Sequence, residues 1–244
     1  MNKNLVSRAA RKMKRLLIPP EDFSRSYSQQ AEDMILRCLF QSRGSGFYVD
    51  VGAHHPTRYS NTRYFYARGW RGINIDALPG IMDLFKAARP KDINLQVGVS
   101  AQAQTLNYYR FNDPAVNGFC LSEDRLKELE PQFKLVDIVP VKTMPLRSIL
   151  SEHLPAGTAI DFLSIDVEGL EMEVLESNDW ERFHPTVVLA EDLNAYTLKE
   201  VVDSPVTAFM SRVGYTACAK APHTIFYLRN GSFTHAGLED SPKD

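Results

Sequence analysis

The stretch Phe47-Tyr48-Val49-Asp50-Val51-Gly52-Ala53-His54-His55-Pro56 decides how the chain is read. A five-residue run with four β-prone side chains leads into a glycine turn, so a short buried strand is expected over 47–51. Working outward, 59–68 has helical character and closes at Gly69, 73–75 reads as a strand, 81–88 as a helix and 93–99 as a strand. That order is β-α-β-α-β. Upstream, Ala31, Met34, Ile35, Cys38 and Leu39 mark an amphipathic helix over 27–40, with Ser28 as its N-cap and 43–46 as its exit. Downstream, 161–165 and 186–190 read as strands around a helix over 170–177. Short strands alternating with helices imply an α/β fold, a doubly wound, mostly parallel sheet covered on both faces. Strands over 215–219 and 224–228 would close it with a C-terminal antiparallel hairpin. Between 101 and 150 the alternation weakens: 106–111 and 138–141 suit strands, 113–119 a loop and 122–129 a helix. This part is expected to insert over the mouth of the sheet.

The 244 residues divide into a basic N-terminal arm over 1–20, one domain over 21–230 and a polar C-terminal tail over 231–244. At 44% hydrophobic and 24% charged, the composition is that of a soluble globule. The formal net charge of −2 gives no global field for a polyanion, so nucleic acid is not an expected partner. That sum hides an asymmetry. Six of the 28 lysines and arginines stand in residues 1–15 without an acid among them, leaving 22 bases against 30 acids elsewhere. The arm could meet an anionic membrane surface peripherally. Three scattered cysteines suit neither a disulfide framework nor a metal knuckle, and a reducing cytoplasm is the expected compartment.

In open α/β sheets ligands bind beyond the carboxyl ends of the strands, near the point where strand order reverses. After the first strand stand Asp50, Gly52 and Ala53, where the glycine permits close backbone approach. After the second stands Asp76, 26 residues beyond Asp50, where such folds hold ribose hydroxyls. The glycine-rich fingerprint that cradles a pyrophosphate is missing, which argues against a dinucleotide. A nucleoside ligand without phosphates, such as S-adenosylmethionine, suits both signals.

Several short motifs then converge. Tyr27-Ser28-Gln29 with Glu32-Asp33, the run 48–53, Ser60-Asn61-Thr62, Gly98-Val99-Ser100, and Ile165-Asp166-Val167-Glu168-Gly169 with Glu171 and Val174-Leu175 together resemble the FkbM family of S-adenosylmethionine-dependent methyltransferases, over about residues 26–192. The resemblance implies a Rossmann-like class I methyltransferase fold and O-methylation of a sugar, glycolipid, polysaccharide or related natural product. It places Asp50, Gly52 and Ala53 on the methionine side of the cofactor, Asp76 at the ribose, and Gly98, Val99 and Ser100 at the adenine end, with Asp166 as a further cofactor-binding residue. The usual glutamate of the second strand is an aspartate here, shorter but still able to accept two hydroxyl bonds.

Asp166 follows one strand and Glu191-Asp192 follow the next, so three carboxylates would converge on one mouth. Such a set repels itself unless it is protonated, solvated or shared by a cation, and hard oxygen ligands suit Mg²⁺. The pattern looks like the metal site of macrocin-type sugar O-methyltransferases. A metal would acidify the acceptor hydroxyl; otherwise His54, His55 or Glu168 is the candidate general base. The acceptor pocket is expected from 101–135, with Tyr108, Tyr109, Phe111, Asn112, Asn117 and Phe119, and from the 60–63 turn. Two other readings are a nicotinamide-dependent oxidoreductase on a similar sheet, and a non-catalytic, membrane-associated binding protein. The oligomeric state is left open.

Overall fold

In the computed structural model, residues 24–119, 123–129, 131–234 and 237–238 are described, so the basic arm and most of the tail lie outside the described residues. Helix α1 (Glu32–Leu39) leads into strand β1 (Phe47–Val51), α2 (Arg63–Ala67), β2 (Arg71–Asp76), α3 (Ile81–Ala88) and β3 (Ile93–Gln96). Later come α5 (Leu146–His153), β8 (Phe162–Ile165), α6 (Glu171–Glu176), β9 (Val187–Glu191), α7 (Leu198–Asp203), α8 (Pro205–Arg212), β10 (Tyr215–Lys220) and β11 (Thr224–Arg229). These strands make a seven-stranded sheet in the order β10-β11-β9-β8-β1-β2-β3. Five are parallel, while β11 runs antiparallel to β9, and β10 antiparallel to β11.

The order reverses between β1 and β8: the chain builds outward from β1 to β3, then returns to the other side of β1. This is the Rossmann-like arrangement of class I methyltransferases, a doubly wound sheet ending in an antiparallel hairpin. Alternating side chains decide which helices cover which face. Val49, Leu163, Ile165, Val188, Ala190 and Ile225 meet Leu146, Ile149 and Leu150 of α5, Val174 of α6 and Met210 of α8 on one side. On the other, Tyr48, Phe162, Val187, Leu189 and Phe226 meet Leu36 of α1, Phe40, Phe65 of α2 and Trp70. Two filled faces explain why the strands read as continuous apolar runs.

Several boundaries differ from expectation, each for a local reason. Helix α1 starts at Glu32, not near 27, because Ala31 is left-handed; Ser28 still accepts from the Asp33 amide through Oγ at 2.8 Å. Helix α2 starts at Arg63, since Tyr59 has φ 52° and the Ser60 hydroxyl receives the Arg63 amide at 3.2 Å. The expected strand over 93–99 breaks at Val97, whose amide bonds to Asp76 O at 3.0 Å. Its end, β4 (Gly98–Val99), joins a second sheet of order β4-β7-β5-β6, with β5 (Gln104–Phe111), β6 (Gly118–Phe119) and β7 (Leu135–Met144). A 3₁₀ turn (Pro114–Val116) and α4 (Glu123–Leu129) complete this insert, and β12 (Phe233–Thr234) pairs with β13 (Gly237–Leu238). The stretches 146–153 and 198–212, given no element above, are helical; a capping box at Thr197 and Glu200 and Pro205 behind the Ser204 cap are their signals. Among the described residues no helix is long and apolar enough to cross a membrane.

Candidate active site

A cavity enclosing, with the solvent at its mouth, about 910 Å³ lies beyond the carboxyl ends of β1, β2 and β8. The switch point of the sheet puts it there. The turn after β1 is pinned by the Gly52 and Ala53 amides, which donate to Ile75 O at 2.9 and 3.1 Å. Gly52 has φ +78°, and a Cβ on it would lie 1.6 Å from the backbone oxygen of Asp166. Only glycine lets the β1 and β8 ends approach this closely.

Asp76 stands at the end of β2 and lines the cavity. Its Oδ2 accepts from the His54 amide at 2.7 Å and its Oδ1 from the Leu78 amide at 2.8 Å. Each oxygen retains a lone pair, so the carboxylate is oriented by backbone and still able to accept. Gly98 and Val99 line the same cavity, as do Tyr108, Asn117 and Phe119 of the insert. Gly98 is obligatory for a packing reason, because a Cβ there would fall 2.5 Å from the Phe119 ring. Ser100 is directed away, donating to Gln102 O at 2.9 Å and accepting from the Thr143 hydroxyl at 2.7 Å. Tyr109, Phe111 and Asn112 are not in the cavity wall; Phe111 is buried within the insert, and Asn112 accepts from the Lys134 amide at 2.8 Å.

The adjacent histidines divide. His54 lines the cavity with φ 52°, its ring 6.2 Å from that of Tyr59 and near parallel to it. Burial first, then Arg58, lowers its pKa, so the imidazole is neutral at pH 7 and able to take a proton. His55 is a turn residue, whose Nδ1 accepts from the Thr57 and Arg58 amides, both at 3.1 Å.

The carboxylates also regroup. Asp166, Glu168 and Glu191 offer oxygens all within 4.8 Å of one another. Asp192 is not among them. Its Oδ2 accepts from the Ser204 hydroxyl at 2.5 Å and its Oδ1 from the Asn194 amide at 3.0 Å, so it ties its own loop to the start of α8. Successive residues at a strand end point to opposite faces, which is why one of the Glu191-Asp192 pair had to leave. Glu168, with φ 55°, occupies the third place. One oxygen of Glu191, Oε2, is buried with no hydrogen-bond partner. Burial and then the charges of Asp166 and Glu168 push Glu191 up to about 10, and burial with the charges of Glu168 and Glu171 holds Asp166 well above the usual carboxylate range. Burial pushes Asp50 up to about 6.

These shifts have a thermodynamic consequence. Unfolding returns Glu191 and Asp50 to ordinary values, 4.5 and 3.8. The folded state therefore binds more protons above those values, and stability falls as pH rises through the folded pKa values. A shifted group contributes a slope of about 1.4 kcal/mol per pH unit between its two pKa values. Ligand-free protein in chelator is thus expected to melt several degrees higher at pH 5.5 than at pH 8. A thermal melt across that range reads this directly, and a flat profile would mean that the carboxyls are not protonated together.

The family model of the methyltransferase FkbM domain matches residues 50–217, from Asp50 into strand β10. The chain belongs to this family. No curated protein matches it. The FkbM domain is similar in structure to a TehB-like SAM-dependent methyltransferase from Corynebacterium glutamicum, at 10% identity and TM-score 0.39 over 94% of this chain and 100% of that one. It is also similar to an O-methyltransferase from Bacillus cereus in complex with SAH, at 11% identity and TM-score 0.33 over 94% and 92%. The small RNA methyltransferase HEN1 gives 11% identity and TM-score 0.34, over 88% of this chain and 28% of that one. The strand order β10-β11-β9-β8-β1-β2-β3 by itself gives the FkbM domain the class I fold.

Proposed function

We propose that the protein is an S-adenosylmethionine-dependent O-methyltransferase acting on a hydroxyl of a sugar, glycolipid, polysaccharide or related natural product. One observation carries the reading: the cavity wall at the switch point holds Asp50, Asp76, Asp166 and Glu168 and, among the described residues, no lysine or arginine. A nicotinamide dinucleotide would bring phosphates to a wall that offers them no cation. A sulfonium and an ammonium group are attracted to it. Asp76 is the acceptor for ribose hydroxyls, Gly52 and Ala53 border the methionine, and the insert closes over the adenine through Tyr108, Asn117 and Phe119.

Bound there, S-adenosylmethionine supplies an electrophilic methyl group. The protein's work is to hold the acceptor hydroxyl in line, exclude water and remove a proton. His54 is the base: as the acceptor O–CH₃ bond forms and the S–CH₃ bond breaks, the hydroxyl proton passes to its neutral imidazole.

The trio Asp166, Glu168 and Glu191 fits Mg²⁺, since it offers hard oxygens at close range and includes a buried oxygen lacking a partner. A divalent ion there would lower the pKa of an acceptor hydroxyl. The three side chains would hold it and orient the acceptor beside His54.

Saturating S-adenosylmethionine is expected to raise the melting temperature, and labelled methyl groups to reach one member of a panel of nucleotide sugars, glycolipids and polysaccharides. No shift would remove the reading. With an acceptor in hand, His54→Ala should lower kcat about 100-fold, the usual loss for a general base. His55→Ala should loosen the 55–58 turn and leave kcat within about threefold. Unchanged kcat in both variants would transfer the base role to Glu168 or the metal.

A further inference from the structure

We propose that Arg89 is a positioning residue of the cofactor cavity, fixing the Asp50 carboxylate and the 56–62 wall from behind. The proposal rests on the reading of that cavity as the S-adenosylmethionine site.

Arg89 ends α3 and is 1% exposed. A guanidinium cannot shed its charge, so its burial has to be compensated by bonds and counter-charges. Its Nη1 donates to Thr62 Oγ1 at 2.7 Å and to Asn74 Oδ1 at 3.2 Å. Its Nη2 donates to Pro56 O at 2.6 Å and to Ser60 Oγ at 2.8 Å. All four acceptors are neutral. The balancing charges stand one group further on: Thr62 Oγ1 donates to Asp50 Oδ2 at 2.8 Å, and Asn74 Nδ2 to Asp92 Oδ2 at 3.1 Å.

The direction of these bonds is forced. Ser60 Oγ accepts from Arg89 and from the Arg63 amide, so its own proton goes to Thr62 Oγ1 at 3.2 Å. Thr62 Oγ1 then accepts from both Ser60 and Arg89, and its single proton has one remaining destination, Asp50. A hydroxyl that is free to rotate elsewhere is held here as a donor aimed at the carboxylate. Through Pro56 and Ser60 the same guanidinium anchors the turn that carries Tyr59 and Asn61, both in the cavity wall. Tyr59 sits at φ 52°, a conformation that persists only where its surroundings hold it. Asn61 completes the wall by donating to Ser164 Oγ on β8 at 3.0 Å.

Arg89, Thr62, Ser60 and Asn74 are all buried, so their effect on function passes through Asp50 and the turn. Calorimetric titration with S-adenosylmethionine, well below the melting temperature, tests it on wild type, Arg89→Met, Thr62→Val and Thr62→Ser. Thr62→Val keeps the shape of the side chain and guards against a failure of the arginine variant to fold. Loss of an aimed bond to a carboxylate is expected to raise Kd at least about tenfold in both Thr62→Val and Arg89→Met. Thr62→Ser, which restores the hydroxyl, should return Kd to within about twofold of wild type. A purely structural role lowers the melting temperature and leaves Kd unchanged; folded Thr62→Val that binds like wild type would overturn the proposal alone. If wild type itself binds no S-adenosylmethionine, the functional reading and this proposal both fall.

Discussion

Gly52→Ala is expected to destabilise the domain by about 3 kcal/mol or more, to lower its melting temperature by roughly 10 °C, and to abolish S-adenosylmethionine binding in whatever fraction still folds. Two independent costs combine. An alanine at φ +78° is strained by about 1–2 kcal/mol. Its Cβ would also fall 1.6 Å from the backbone oxygen of Asp166. That neighbour is main chain between β8 and α6, so relief requires the ends of β1 and β8 to part. The Asp166 amide donates to Val51 O at 3.0 Å across the same gap, and this bond would stretch with it. Because the cavity floor is made from these two strand ends, stability and binding should fail together. Denaturant unfolding and calorimetry on purified variant check both. A variant that melts like wild type would mean that the turn can move aside.

Glu191→Gln should separate the electrostatic role of the carboxylate trio from its packing. The amide is close to an isostere of the protonated acid, the form that burial and the neighbouring charges favour in the ligand-free protein. Folding then no longer takes up a proton at this position, so the fall in melting temperature between pH 5.5 and pH 8 should flatten. Turnover should drop by about 100-fold or more, and any dependence on Mg²⁺ should vanish, since a neutral amide is a poor ligand for a hard dication. Unchanged turnover, or wild-type activity that persists in excess EDTA, would remove the metal from the mechanism. An unflattened pH profile would assign the shared protons to Asp166 and Asp50.

How far the sequence could be read follows from the range of each interaction. The strands β1, β2, β8 and β9 were legible because both faces of the sheet are buried and each becomes an apolar run. Glycine at 52 and aspartate at 76 were legible because their positions after a strand are local facts. The two histidines could not be told apart by position. They separate only when the turn amides of Thr57 and Arg58 claim His55 Nδ1 and leave His54 in the wall. Residues Tyr108, Asn117 and Phe119 were expected at the acceptor; in the folded chain they line the same cavity as Gly98 and Val99.

The sequence by itself determined the α/β order, the turn after the first strand, the acid after the second and the absence of a phosphate cradle, because each is written in neighbouring residues. Only the tertiary structure decided which carboxylates come together. Adjacent side chains at a strand end diverge, so Glu191 meets Asp166 and Glu168 while Asp192 ties its own loop to Ser204. It also decided the place of Arg89, 27 residues from Thr62 and 15 from Asn74, whose charge is balanced only once three separate elements close around it. Local chemistry could be read along the chain; compensation of a buried charge exists only across it.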